Sequence, residues 1–99
     1  MGSSLFQFHP EAREEFRSTV RWYRPQSLLA SSEFRVAVSA AIRMIAEAPQ
    51  RWPKYLYGTR RFVPPRFPFS IVYLDDPELV TIVAVAHSKR KPGYWKDRL

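Results

Sequence analysis

The apolar run at residues 79–87, L-V-T-I-V-A-V-A-H, most constrains the fold of this chain. It contains no Lys, Arg, Asp or Glu and is rich in β-branched residues, a composition typical of a buried central strand. The run ends at His87 and passes directly into a cluster of cationic and aromatic side chains: Lys89, Arg90, Lys91, Tyr94, Trp95, Lys96 and Arg98. We therefore expect a strand that delivers an imidazole, several cations and a phenol to one edge of a sheet, an arrangement suited to binding or cutting a phosphodiester backbone.

Length and composition predict a single domain over residues 1–99. The 99 residues can build one hydrophobic core, and 45% of them are hydrophobic. The absence of cysteine excludes disulfides and thiolate metal sites and favours a reducing cytoplasm. No apolar run approaches the roughly 20 residues that a membrane span needs, so we expect no membrane partner. Residues 1–4 have neither a basic nor an apolar leader region, so we expect no signal peptide.

The charge of the chain is unevenly distributed. The net charge is +7 and the isoelectric point is near 10.3. Residues 51–99 hold ten of the sixteen Lys and Arg but only four of the nine acids, so this half carries +6 and the first half +1. This asymmetry favours a polyanionic partner, which is either a nucleic acid or an acidic protein.

Apolar periodicity and turn residues predict the order β-α-α-β-β-β. The first helix begins at Pro10, ends near Arg24 and carries apolar residues at helical spacing: Ala12, Phe16, Val20 and Tyr23. The second helix, capped by Ser27 or the Ser31–Ser32 pair and ended by Pro49, has its own apolar stripe: Phe34, Val38, Ala41, Ile45 and Ala48. Such helices form an antiparallel hairpin on one face of a small sheet. The expected strands are residues 5–8, 60–64, 67–74 and 79–87, followed by a helical turn at 94–98.

Five segments, in their order and spacing, resemble the RelE/ParE superfamily, the toxins of type II toxin–antitoxin pairs that are also labelled plasmid stabilisation proteins. They are H-P-E-A-x-x-E at 9–15, W-Y at 22–23, P-x-x-W-P at 49–53, R-x-x-x-x-x-F-P-F-x-I-x-Y at 61–73 and A-V-A-H-x-x-R-x-P-x-Y-W-x-x-R at 84–98. The resemblance covers nearly the whole chain. It implies an α+β fold, with two N-terminal helices against a mostly antiparallel sheet, and a cognate antitoxin that wraps and neutralises the toxin.

The resemblance implies one of two activities, both of which arrest growth. RelE-like members cleave mRNA in the ribosomal A site without a metal, whereas ParE-like members inhibit DNA gyrase and are not known to cut anything. Our first hypothesis is ribosome-dependent mRNA cleavage without a cofactor. The alternative is a non-enzymatic inhibitor that binds gyrase or another protein, and a third hypothesis is a relic of the toxin fold without toxicity.

Metal-free RNA cleavage needs a base, cations that stabilise the charged transition state, and an acid. His87 is the natural acid or base near neutral pH. Arg61 and Arg90 are candidate phosphate clamps, because they fall in positions similar to the arginines of RelE-like nucleases. Tyr94 is a candidate for stacking on a base or donating a proton. These four residues form the predicted catalytic set.

Each catalytic candidate also has a structural alternative. His87 can hydrogen-bond the backbone at the end of its strand and set the following turn. The two arginines can form salt bridges towards Glu15 or Asp97, or can be solvated surface charges. Tyr94 and Trp95 can act as a hydrophobic lid that docks the tail on the core, which is the favoured interpretation of Trp95.

Further basic residues are predicted to contact partners. The candidate RNA or phosphate contacts are Arg51, Lys54, Arg66, Lys89, Lys91, Lys96 and Arg98. Four arginines at helical spacing form either a solvated face or a surface for an acidic antitoxin or for gyrase: Arg13, Arg17, Arg21 and Arg24. The chain has only two histidines, far apart in sequence, so no metal site is predicted.

Overall fold

The computed structural model describes residues 4–99, in which two helices cover one face of a four-stranded sheet. The elements are β1 (Leu5–Phe8), α1 (Pro10–Tyr23), α2 (Leu28–Glu47), β2 (Arg60–Phe62), β3 (Phe69–Leu74) and β4 (Leu79–His87), with 3-10 turns at Leu56–Gly58 and Lys96–Arg98. The predicted α+β class and β-α-α-β-β-β order are confirmed. The expectation of no signal peptide rests largely on residues 1–3, which lie outside the described residues.

Local side-chain contacts explain where the two helices begin. The Nδ1 atom of His9 accepts a hydrogen bond from the Glu11 N–H at 3.1 Å, and Pro10 occupies the first helical position of α1. The Ser27 hydroxyl caps α2 by accepting from the Ala30 N–H at 3.0 Å, so Ser27 is the cap among the predicted alternatives. Neither helix, nor any other among the described residues, is long and apolar enough to cross a membrane.

The sheet has the strand order β1-β4-β3-β2, which confirms that β4 is central. β1 runs parallel to β4, and the other neighbours are antiparallel. The pairing of β1 with β4 stops where Phe8 meets Ile82. As a result, residues 83–87 of β4 have no strand beside them on that side, and their outward N–H and C=O groups need other partners.

A β-bulge in β4 changes which face its last residues occupy. Tyr73 pairs with Ile82 and Val72 with Ala84, so Val83 is an extra residue in the ladder. Ile82 before the bulge and Val85 after it both join the core beneath the helices, although simple alternation would put them on opposite faces. The bulge therefore also turns His87 towards the helix side, where its ring lies 4.9 Å from that of Phe69.

The sheet is packed on both faces. Below the helices lies the larger core, built from buried residues of both helices and of the two central strands β3 and β4: Ala12, Val20, Phe34, Val38, Ala41, Ile42, Ile45, Phe69, Ile71, Tyr73, Val80, Ile82 and Val85. The opposite face is covered by the C-terminal tail, where Trp95 is only 1% exposed and packs with Val72 and Ala84. Trp95 therefore docks the tail on the sheet.

Three elements are shorter in the structure than the sequence predicts. β2 ends at Phe62 rather than at residue 64, because Pro64 and Pro65 cannot donate to a ladder. β3 begins at Phe69 rather than at residue 67, since Arg66 adopts a left-handed φ of 78° and Pro68 again lacks an N–H. The last helical turn is a 3-10 turn at Lys96–Arg98 rather than residues 94–98.

Tyr73 anchors the loop after α2, and its ionisation makes the protein less stable at alkaline pH. Its side chain is fully buried, and its hydroxyl donates to the Pro49 carbonyl at 2.6 Å. Burial raises the pKa of Tyr73 to about 12, against an opposing effect of Arg60. Because the folded-state pKa exceeds the unfolded value of 10.0, this contribution is complete below pH 10 and is lost as pH rises towards 12.

We therefore expect the free energy of unfolding to fall by roughly 2–3 kcal/mol more in the wild type than in Tyr73→Phe as pH rises from about 10 to about 12. Urea unfolding at a series of alkaline pH values measures this difference. Phenylalanine keeps the ring but removes the ionisable hydroxyl. The pH dependence of the unfolding free energy of Tyr73→Phe therefore gives the contribution of all other groups. Parallel pH dependences in the two proteins would contradict the assignment.

Candidate functional site

The four predicted catalytic residues meet in one small cleft at the end of β4. We call this cavity of about 130 Å³ the basic cleft; its polar lining residues are Tyr55, Arg61, Ser70, His87, Ser88, Arg90, Lys91 and Tyr94. β2 supplies Arg61, β4 supplies His87, and the segment after β4 supplies Arg90, Lys91 and Tyr94. No carboxylate belongs to this lining. The cleft is thus a compact site with positive charge.

His87 has one ring nitrogen committed to the backbone. Its Nδ1 atom accepts a hydrogen bond from the Lys89 N–H at 3.0 Å, which sets the turn that leaves β4. An acceptor at Nδ1 means that the neutral ring carries its proton on Nε2. His87 therefore sets the turn, as one of its two interpretations predicted. Its Nε2 atom is the nitrogen left for a ligand.

An apolar cavity of about 520 Å³ adjoins His87 on the helix side. Its lining comes from α1, from the start of β3 with the preceding proline, and from the end of β4: Ser18, Thr19, Trp22, Tyr23, Pro68, Phe69 and His87. Trp22 is 61% exposed there, an unusually open position for a large aromatic ring. Because His87 lines both spaces, the basic cleft and the apolar cavity form one continuous surface with a cationic part and an apolar part.

Two consecutive arginines of β2 have different environments. Arg60 donates to Asp75 at 2.6 Å and to the Trp52 carbonyl at 2.7 Å, which anchors β2 to the preceding loop. Arg61 points to the other face, as strand alternation requires, and its guanidinium lies 4.2 Å from the centre of the Tyr55 ring. Arg61 is exposed and forms no ion pair among residues 4–99, so its charge is available to a ligand.

The Glu15 carboxylate of α1 takes the place of the missing strand beside β4. Its Oε1 atom accepts from the Val85 N–H at 3.0 Å, and Arg98 donates to the Val83 carbonyl at 3.0 Å. These are backbone groups in the stretch that β1 does not reach. Arg98 also binds Glu15 through both terminal nitrogens, at 3.0 and 2.8 Å. One bidentate ion pair therefore satisfies the open edge and ties the tail to α1.

Tyr94 completes this group, which we call the Glu15 network: Glu15, Arg98 and Tyr94. The Tyr94 hydroxyl donates to Glu15 Oε2 at 2.6 Å. Burial raises the pKa of Tyr94, and the hydrogen bond and negative charge of Glu15 raise it further. Burial acts to lower the pKa of Arg98, but Glu15 outweighs this and the pKa is raised. The phenol is thus held neutral and the guanidinium charged.

Arg90 lies between the network and the basic cleft. Its Nη1 atom is 3.5 Å from Glu15 Oε2, which is the salt bridge that the sequence left as an alternative for this residue. The guanidinium also stacks on Tyr94, 3.6 Å from the ring centre. With 53% of its side chain exposed, Arg90 remains open to a ligand while these two contacts fix its position.

The remaining predicted phosphate contacts are scattered, and one requires correction. Arg98 is not a surface cation, because its side chain is 8% exposed and both terminal nitrogens are bound to Glu15. Lys91 lines the basic cleft. The others are exposed residues that do not line it: Arg51, Lys54, Arg66, Lys89 and Lys96. Within residues 4–99 no group of His, Cys, Asp or Glu residues is arranged to hold a metal ion.

Glu15 is the central residue that the sequence interpretation did not single out. The position of Glu15 could have indicated its structural role, because Glu15 lies one turn from buried Ala12 on the face of α1 that packs towards the sheet. An acid on such a face needs a buried partner. Its partner Arg98 lies 83 positions away in the sequence, so the pairing between α1 and the tail was not evident before the fold was known.

Comparison with known proteins identifies the family. The family model described as the ParE toxin of the type II toxin–antitoxin system, parDE, matches residues 6–92, and the chain belongs to this family. Its fold is similar to that of a chain from the chromosomal ParDE toxin–antitoxin system of P. aeruginosa, with a TM-score of 0.62 and 15% identity over 88% of this chain and 98% of that chain. None of the curated proteins matches this chain. The superfamily resemblance is therefore confirmed, and membership implies a cognate antitoxin.

Proposed function

We propose that this toxin arrests growth as a ParE-like inhibitor that binds DNA gyrase and does not cut RNA. Membership of the ParE toxin family carries the proposal of a gyrase target, because the ParE-like members are the gyrase inhibitors of the superfamily, and the state of Tyr94 argues against RNA cleavage. The Tyr94 hydroxyl is bound to Glu15 at 2.6 Å and its pKa is raised, so it is a poor proton donor. His87 then loses Tyr94 as a partner for proton transfer, which leaves the Tyr55 phenol and the Lys91 amine as the other acid–base groups of the basic cleft.

The composition of the surface supports recognition of a protein. The cations of the basic cleft can pair with carboxylates of the target, and the adjoining apolar cavity can receive an apolar side chain beside Trp22. Arginine and tryptophan are the residues that most often dominate binding energy at protein interfaces. Arg61 and Arg90 are each held over a tyrosine ring, which lowers the entropy that binding would cost.

Ribosome-dependent mRNA cleavage is the second candidate function, and one observation favours it. His87, Arg61 and Arg90 line the same cleft, which provides an imidazole and two guanidiniums for one phosphate. In this mechanism His87 Nε2 would have to exchange a proton with the ribose or the leaving oxygen. Tyr94 would have to leave Glu15 to act as an acid, and that step opposes the network that docks the tail.

Gyrase supercoiling with purified proteins tests the proposal. We expect the wild type to inhibit supercoiling of a relaxed plasmid, and Arg61→Ala to raise the inhibitor concentration needed by about 10-fold or more, as for a central interface arginine. Arg66→Ala is the matched control, because Arg66 is an exposed arginine near Glu33 and does not line the cleft. It should inhibit within about 3-fold of the wild type.

A parallel reaction with translating ribosomes separates the other two hypotheses. Transcripts cut in the A site, with supercoiling unaffected, would overturn the proposal in favour of mRNA cleavage. A folded protein that neither inhibits supercoiling nor cuts transcripts, and that does not arrest growth, would be a relic of the toxin fold. Equal losses in Arg61→Ala and Arg66→Ala would show that net charge, rather than the cleft, determines inhibition.

A further inference from the structure

Helix α2 is apolar on two faces. Its inner face supplies the larger core with buried side chains: Phe34, Val38, Ala41, Ile42 and Ile45. A second apolar stripe runs along its outer face, where Leu29 is 68% exposed, Val36 65% and Met44 39%. The inner face already satisfies the amphipathic pattern of a helix that covers a core, so the outer stripe is apolar surface available to a partner.

The outer stripe forms one wall of a cavity of about 450 Å³, which we call the α2 groove. The other wall is the segment after β2 that contains Pro64 and Pro65. Two charged residues belong to the lining, Glu33 and Arg66, and they pair with each other at 3.4 Å. The α2 groove is therefore apolar and locally neutral, although the whole chain carries a net charge of +7.

The α2 groove is separate from the cationic surfaces of the protein. The arginines that the sequence predicted as a surface for antitoxin or gyrase line another cavity, which includes Arg35 and excludes Arg13: Arg17, Arg21 and Arg24. Neither this cavity nor the basic cleft shares a lining residue with the α2 groove. Acidic partners are attracted to those cationic surfaces, whereas the α2 groove suits a partner that presents a neutral, apolar surface.

The spacing of the outer stripe is the same in both directions along α2. Residues 29, 33, 36, 37, 40 and 44 follow each other in steps of four, three, one, three and four. At about 100° per residue, all six lie within about 50° of one line along the helix. A surface that reads identically in both directions can pack against an antiparallel copy of itself, which is what a two-fold interface requires.

We propose that the α2 groove is the interface of a toxin homodimer, in which the two α2 helices pack antiparallel around a two-fold axis between Val36 and Ala37. In this register Leu29 faces the partner's Met44, and Val36 faces the partner's Ala37. The small side chains of Ala37 and Ala40 allow the helix axes to approach to about 8–10 Å. The basic cleft stays open in the dimer, and the proposal does not depend on the target of the toxin.

Sedimentation equilibrium of the purified full chain tests the dimer. We expect the apparent mass to rise from 11.7 kDa towards twice that value as the concentration rises through the micromolar range. Val36→Glu puts two carboxylates beside the two-fold axis and should weaken the dimer at least about 10-fold. Because Val36 is 65% exposed, this variant should keep the wild-type circular dichroism spectrum.

Leu28→Glu is the matched control for this variant. It introduces the same charge on the same helix, at an apolar residue that is 73% exposed and lies outside the outer stripe. Its dimer should dissociate within about 3-fold of the wild-type concentration. Equal self-association of Val36→Glu and Leu28→Glu would overturn the proposal, as would a wild type that remains at 11.7 kDa at every concentration.

Cysteine pairing tests the antiparallel register. The chain has no cysteine, so the double variant Glu33→Cys, Ala40→Cys holds the only two thiols of each copy. Positions 33 and 40 of different copies face each other in the proposed dimer, and mild oxidation should link them covalently. Each single variant should stay unlinked, because equal positions lie about 10 Å apart along the helices, beyond the roughly 7 Å that a disulfide can bridge.

Equal cross-linking of the single and double variants would contradict this register. Binding of the cognate antitoxin to the same variants identifies the other possible occupant of the α2 groove. If Val36→Glu loses antitoxin binding while Leu28→Glu keeps it, and the wild-type toxin is monomeric, the groove belongs to the antitoxin and the homodimer proposal is overturned. A dimeric wild type with a monomeric Val36→Glu and a cross-linked double variant would support the proposal.

Discussion

Replacing Glu15 by alanine is expected to lower the free energy of unfolding by about 3–5 kcal/mol, as for breaking a buried ion pair. The change leaves the Arg98 guanidinium, which is 8% exposed, without its counter-charge. It also removes the acceptors of the Val85 N–H and the Tyr94 hydroxyl. A buried charge and buried donors without partners are costly, because water cannot replace the lost contacts.

Urea unfolding at neutral pH measures this effect, with Glu14→Ala as the matched control. Glu14 is the adjacent residue on α1, and it pairs with Arg21 at the surface, where both side chains are more than half exposed. Its removal should change stability by less than about 1 kcal/mol. Glu15→Gln retains a hydrogen-bond acceptor and should fall between the two alanine variants. Equal stabilities of Glu15→Ala and Glu14→Ala would contradict the role of the network.

Replacing Trp95 by alanine is expected to cost about 3–5 kcal/mol as well, through a different mechanism. Trp95 is 1% exposed and fills the face of the sheet that the helices do not cover, with its ring 6.0 Å from that of Tyr55. Truncation leaves a cavity under the tail and loosens the segment that presents Arg90 and Tyr94. The basic cleft should therefore lose its shape together with the stability.

The same substitution at Trp22 provides the control, since that ring is 61% exposed whereas Trp95 is buried. Thermal unfolding should give a Trp22→Ala protein within about 1 kcal/mol of the wild type. A mild Trp95→Ala phenotype, equal to that of Trp22→Ala, would mean that the tail contributes little to the fold. The intrinsic fluorescence of the protein should also shift strongly on unfolding in wild type and less in Trp95→Ala.

The sequence predicted the order and type of the elements because their signals are local. Helical spacing of apolar residues, the helix starts at Pro10 and after Ser27, and the β-branched run of β4 each depend on a few neighbouring residues. The boundaries of β2 and β3 were less well predicted. Their ends depend on hydrogen bonds lost at Pro64 and Pro68, which a pattern of apolar residues does not register.

The site was predicted in part, and the omissions have a common physical cause. Arg61, His87, Arg90 and Tyr94 do converge, because β2, the end of β4 and the segment after β4 all contribute side chains to one cleft. The bulge at Val83 and the pairing of Glu15 with Arg98 depend on contacts between residues far apart in sequence. Such contacts leave no periodic signal, so Arg98 was predicted as a phosphate ligand although it is an internal ion-pair partner.

The Glu15 network links the fold to the proposed activity. Glu15 neutralises part of the tail's charge and fixes Tyr94, while Arg90 stacks on that ring at 3.6 Å and remains half exposed. The same contacts that present cations to a partner therefore remove a proton donor from the site. A rigid cationic surface of this kind is well suited to binding and poorly suited to general acid–base catalysis.

The state of RNA and DNA in one induced culture tests the central claim most directly. The wild-type toxin is expressed without its antitoxin, and transcripts are mapped by primer extension while the topology of a reporter plasmid is followed in the same cells. We predict intact transcripts and a loss of negative supercoiling as growth stops. Transcripts cut at A-site codons, with plasmid supercoiling unchanged, would contradict the account and favour ribosome-dependent mRNA cleavage.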